Sequence, residues 1–159
     1  MANHWSNTRR NHAVEHATIA LLMHEHQFDR PVAGYSISNG FWIIGDLSTN
    51  EVEENTRKAV QRIIDGDHGL AISPFCGTNI VVSAAFAVIG TLTGYHTAGR
   101  GLNGLSRALS STVLATVIAR PVGRLIQKRY TTSVDIASIA IGRVKRHQVG
   151  SIPIHWIPT

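Results

Sequence analysis

The sixteen residues NHAVEHATIALLMHEH (11–26) carry four of the chain's nine histidines and two of its ten carboxylates. Their first cluster, His12-Ala13-Val14-Glu15-His16, has the order H-x-x-E-H. On a helix His12 and His16 lie one turn apart on the same face, so two imidazole nitrogens can converge on one ion. Glu15 stands beside them, where a carboxylate would take a proton from a metal-bound water. Zinc is the expected cofactor, and a third ligand must come from downstream. The candidates are His155 in the closing segment and Cys76, the chain's lone cysteine, whose thiolate suits zinc. The competing reading is a helix with two partly buried histidines, one of them paired to Glu15. His24 and His26 are two apart and face different ways on a helix, so both are expected to be solvated or interfacial. Glu51, Glu53 and Glu54 are accounted for by helix capping, His68 and His96 fall in turns, and Trp42 and Trp156 read as packing or membrane-belt aromatics.

The elements that must position these groups follow from pattern. Residues 8–27 read as a helix with an apolar stripe of Ala13, Val14, Ala17, Leu21 and Leu22, stopped at Asp29-Arg30-Pro31. Residues 32–47 read as a β-hairpin, because two β-rich runs flank Ser38-Asn39-Gly40. Residues 48–67 are the best-marked helix, with Ser48 and Glu51 forming a capping box and Gly66 a stop. Residues 70–79 read as a short strand or loop, and 133–146 and 151–159 alternate as strands.

Charge is unevenly distributed. Residues 1–70 hold six Lys or Arg against nine carboxylates, whereas residues 71–159 hold nine against Asp135 alone. From His68 to Gly99 there are thirty-two residues without a charged side chain. Within them TNIVVSAAFAVIGTLTGY (78–95) reaches the minimum of about 18 residues for a membrane crossing. LSRALSSTVLATVIARPVGRLI (105–126) follows after a Gly-rich turn at 96–104, its apolar centre flanked by Arg107 and Arg120. The pair reads as a transmembrane hairpin, with Gly90 and Gly94 forming G-x-x-x-G. Arg120, Arg124, Lys128 and Arg129 crowd one end against Arg100 in the turn, which puts both termini in the cytoplasm. The same cluster accounts for the basic half without nucleic acid. No signal peptide is visible, and one cysteine cannot build a disulfide framework. The expected fold is thus an α+β membrane protein: residues 1–75 and 131–159 form a small cytoplasmic head, and 76–130 form the transmembrane hairpin.

The stretches HAVEHATI (12–19), GYSISNGFWIIGD (34–46), CGTN (76–79), RPVGRLIQKRYTT (120–132) and HWIPT (155–159) together resemble a family of small bacterial membrane proteins of cyanobacterial and Chloroflexi type, grouped as a domain of unknown function. The resemblance implies an integral membrane protein with two central helices and no known reaction. His12, Glu15, His16, Cys76 and His155 all fall inside the matching stretches. H-x-x-E-H is also the order seen in inverted zinc peptidases, but that similarity is confined to five residues.

Two functions are expected to compete. In one, the protein is a membrane-anchored zinc protein and possible hydrolase, with Glu15 as general base. In the other it is a non-catalytic membrane subunit that docks on a larger complex, or on a second copy, through Gly90 and Gly94.

Overall fold

A computed structural model describes residues 4–27, 29, 31–97 and 101–159. The middle of the stop at 29–31 and the tip of the turn at 96–104 lie outside the described residues. The chain divides into two compact units, one made of the residues up to Ser73 with Arg129–Thr159, the other of Pro74–Lys128.

The first unit is a two-layer α+β fold. Helix α1 (His4–Glu25) is followed by strands β1 (Ala33–Ile37) and β2 (Gly40–Ile44) and helix α2 (Thr49–Ile64). After a single 3-10 turn at His68–Ala71 the chain leaves the unit, then returns for β3 (Lys145–Val149) and β4 (Ile152–Pro158). The sheet is antiparallel with order β1-β2-β4-β3. Its inward face contributes Phe41, Ile43 and Ile157 to a core completed by Val14, Ala17 and Leu22 of α1 and Val52, Ala59 and Ile63 of α2.

Local chemistry sets the turns and ends. Ile37 pairs directly with Gly40, so Ser38-Asn39 make a two-residue turn. Gly40 has φ +152°, and a Cβ there would run into the carbonyl of Ile157; only glycine starts β2 in this way. Ser48 caps α2 by accepting from the Glu51 N–H at 3.2 Å, while the Glu51 carboxylate accepts from the Ser48 N–H at 2.6 Å. Ser48→Ala is expected to cost about 1 kcal/mol, read as a lower unfolding midpoint. A shift no larger than that of an exposed serine elsewhere would contradict the cap's role. On the solvent side, Arg57–Glu53 and Lys58–Glu54 are exposed pairs of little energetic weight.

The segment expected as a strand at 133–146 is not one up to Val144: it runs as irregular chain, and β3 begins only at Lys145. Its apolar residues serve the core differently. Ile136 and Val144 are buried plugs, and Ile139 and Ile141 pack beside them. Contacts to α1 hold it in place: the Ser133 N–H donates to the Arg9 carbonyl, and Arg10 pairs with Asp135 at 3.0 Å.

The second unit is a helical hairpin of α3 (Gly77–Thr97) and α4 (Leu102–Ile126), the latter running into a π-turn at Gln127–Thr131. Gly90 and Gly94 let the two backbones meet. A Cβ on Gly90 would lie 2.7 Å from Ala115 Cβ, and one on Gly94 would lie 2.6 Å from the Arg107 carbonyl. Thr91 and Thr112 add a hydroxyl pair at 2.6 Å across the seam. Gly90 and Gly94, expected as a docking face, are both buried against α4 within the hairpin. Outward the hairpin presents exposed Ile80, Val81, Val88, Ile89, Leu92, Leu109, Val113, Leu114, Val117 and Ile118. Gly77–Thr97 and Leu102–Thr131 are each long and apolar enough to cross a membrane.

Candidate metal centre

The H-x-x-E-H stretch lies in the middle of α1, where Ala13 through Thr18 are all buried. A helix buried all round cannot leave polar atoms to water, so Glu15 and His16 must be satisfied by neighbouring backbone or side chains. The partners are specific.

The His12 and His16 rings lie with centroids 4.2 Å apart and planes tilted at 58°, and their ligand nitrogens come within 4.8 Å of each other. His12 Nδ1 sits 2.9 Å from the carbonyl oxygen of Thr131. His16 Nδ1 sits 2.9 Å from the carbonyl oxygen of Ala71. A carbonyl only accepts, so each Nδ1 carries the proton and donates it, and the lone pair of each neutral ring is on Nε2. Metal-ligating histidines are held in this way, with the far ring nitrogen fixed to a carbonyl and the near one presented to the ion. Arg9, one turn earlier on α1, donates to the carbonyls of Arg129 and Thr132 at 3.0 and 2.8 Å. Together Arg9 and His12 satisfy three carbonyls at the end of the π-turn and just beyond it, which fixes that backbone against α1.

Glu15 faces the sheet. Its Oε2 accepts a short hydrogen bond from Ser36 Oγ on β1. A Cβ on Gly34 would lie 2.5 Å from its Oε1 and 2.7 Å from its Cγ and Cδ. Gly34 and Ser36 are thus small because the Glu15 side chain occupies the space above them. The sequence carried this signal: two small residues at alternate positions of β1 fall where a core would otherwise place large ones.

His155 occupies the centre of the sheet, paired with Ile43 on β2 and Arg146 on β3. Among the described residues it joins no group of three ligand-type side chains with His12 and His16, so it is set aside as their third partner. Its imidazole is fully buried and, among the described residues, neither ring nitrogen finds a hydrogen-bond partner. Burial pushes its pKa below the ordinary histidine value, Arg146 adds to that, and Glu51 opposes it. A group whose folded pKa is depressed contributes stability above its unfolded pKa, and loses it as pH falls below about 6.5. Stability should therefore drop between pH 7 and pH 5.5, by at most about 1.4 kcal/mol per pH unit, and His155→Leu should flatten the dependence. Thermal melts in detergent check this, and an equally steep profile in the variant would contradict it.

Cys76 belongs to the second unit, in the turn before α3, where it is buried. His26, expected to be solvated or interfacial, lies 3.3 Å from the Glu51 carboxylate. Trp42 and Trp156 are cross-strand partners with ring centroids 4.8 Å apart.

A sequence profile described as "Domain of unknown function (DUF6391)" matches residues 7–144. An uncharacterized protein of Picosynechococcus sp. is 26% identical over 160 residues, covering 94% of this chain and 77% of its own length. No solved structure matches.

Proposed function

The chain belongs to the family of the domain of unknown function DUF6391, and we propose that it is a membrane-anchored protein that holds a zinc ion on His12 and His16, with Cys76 as third ligand. The observation that carries the reading is the paired Nδ1 lock, on the carbonyls of Thr131 and Ala71, which turns both imidazoles to the ligand tautomer. Cys76 enters through the covalent chain. It follows Ala71 by five residues, so the thiol is tethered within about 18 Å of the carbonyl that holds His16. A thiolate with two imidazoles suits zinc and leaves the fourth position to water or substrate.

A bound zinc would supply Lewis acidity and a water of lowered pKa. Glu15 is the residue whose expected role changes most. One carboxylate oxygen accepts from Ser36 and the side chain packs over Gly34, which favours a positioning role, fixing α1 on the sheet, over that of a general base. The reading is accordingly a metal-holding membrane protein rather than a hydrolase. Glu15→Gln, which still accepts from Ser36, is expected to leave the metal stoichiometry unchanged.

The anchor is the hairpin of α3 and α4, whose exposed aliphatic surface suits lipid. Arg120, Arg124, Lys128 and Arg129 favour cytoplasmic termini.

The direct test of the ligand set is cobalt substitution of the full chain in detergent. The wild type should show the near-ultraviolet charge-transfer band of a cobalt–thiolate bond, absent from Cys76→Ser. The same spectrum in both would remove Cys76 from the site.

A further inference from the structure

The sheet has a second face. Opposite the core, the register places Tyr35, Trp42, Trp156 and Lys145 in one row across all four strands, with Ile44, Ile154 and His147 in the next. Antiparallel sheets with one face on a core usually turn polar side chains outward. Here the outward face is aromatic and aliphatic: Tyr35, Val149 and Ile152 are exposed, and Trp42 and Trp156 are half-buried against each other. Exposed apolar surface of this kind marks a binding face.

Its charge says what it fits. Neither β1 nor β2 carries a charged residue, and there is no carboxylate anywhere from Ile136 to Thr159. Lys145 stands in the outer row of the exposed edge strand β3, beside Trp156, with Arg143 just before the strand and Arg146 on the strand's other side. A second copy of the chain would bring two such basic edges together. Tryptophan and tyrosine over a basic rim are instead the composition that settles at the headgroup level of an anionic bilayer.

We propose that the outer sheet face is a docking surface for anionic lipid headgroups. This rests on the membrane reading above for the presence of a bilayer, because Ser73 and Arg129, where the first unit ends and resumes, lead directly to and from the hairpin.

The full chain with Trp5→Phe, leaving Trp42 and Trp156 as emitters, is reconstituted in nanodiscs of phosphatidylcholine with or without 30% phosphatidylglycerol (about a third anionic, enough for the surface potential to act). Quenching by lipids that carry a spin label near the headgroup is then measured. Quenching that requires phosphatidylglycerol is expected. Lys145→Ala should lower the docked-to-free ratio about fivefold, from one basic residue near the surface, while Arg146→Ala, on the other side of the strand, should change it less. Quenching that is equal in both discs overturns the proposal. So does a tryptophan response to oligonucleotide or to protein concentration with none to anionic lipid, which would assign the face to nucleic acid or to a second copy. Resistance of the same chain to carbonate extraction reports on the hairpin separately, so the two readings fail independently.

Discussion

His12→Ala and His16→Ala are each expected to weaken zinc binding by more than a hundredfold, measured by chelator competition on the detergent-purified chain. The size follows from the ligand count. Even the outer partners that orient a ligating histidine are worth about 10- to 100-fold in affinity, and each substitution removes a ligand outright from the proposed set of three. The two differ in what else they lose. His16 is 4% exposed and its ring sits against Ala71 in the core, so its alanine variant should also leave a cavity and melt earlier. His12 is half-buried, and its variant should lose the Thr131 hydrogen bond but keep most of the stability. Equal zinc affinity in wild type and variants would mean that the histidines serve only to hold the carbonyls of Thr131 and Ala71.

The second large effect is structural. Gly34→Ala should destabilise the first unit by about 2–3 kcal/mol, the upper part of the range of about 1–3 kcal/mol for forcing extra volume into a packed core. The added Cβ meets Glu15 Cγ and Cδ at 2.7 Å as well as its oxygen, and Ser36 holds the carboxylate in place. The side chain therefore cannot swing away without leaving a buried carboxylate without its hydrogen bond. The chemistry of the clash is checked by a double-mutant cycle. Glu15→Ala is destabilising alone, yet in the Gly34→Ala background it should cost less, because it removes the colliding group. Denaturation midpoints of the four chains give the coupling, and strictly additive losses would contradict the packing of Glu15 on β1.

Much of this architecture could be read from sequence wherever a local rule acted alone. The Ser48–Glu51 capping box, the hairpin turn at Ser38-Asn39 and the two long apolar helices all depend on neighbours within a few residues. The failures come where tertiary context decides. Residues 133–144 alternate like a strand, but Ile136 and Val144 are drawn into the core as plugs and the backbone is bound to α1 instead of to a neighbouring strand. The true edge strand, Lys-Arg-His-Gln-Val, reads as too polar for a sheet. Charge on an edge is how sheets resist further pairing.

The candidate site was half legible. Helical spacing alone brought His12 and His16 together, and it also suggested Glu15 as their base. It could not show that Glu15 points to β1, because that depends on which strand passes under α1. Nor could it find the carbonyls of Thr131 and Ala71, 119 and 55 residues away along the chain from His12 and His16. Backbone acceptors leave no mark in a sequence. His155 was a candidate because its strand could return beside α1; the register places it in the centre of the sheet, where among the described residues its ring nitrogens have no hydrogen-bond partner.

The central claim is that the first helix holds a metal, and elemental analysis of the full chain, purified in detergent without chelator, tests it most directly. The account predicts close to one zinc per chain in the wild type and almost none in His12→Ala or His16→Ala. A wild-type chain that is folded by circular dichroism, does not take up added zinc and contains no metal would contradict it.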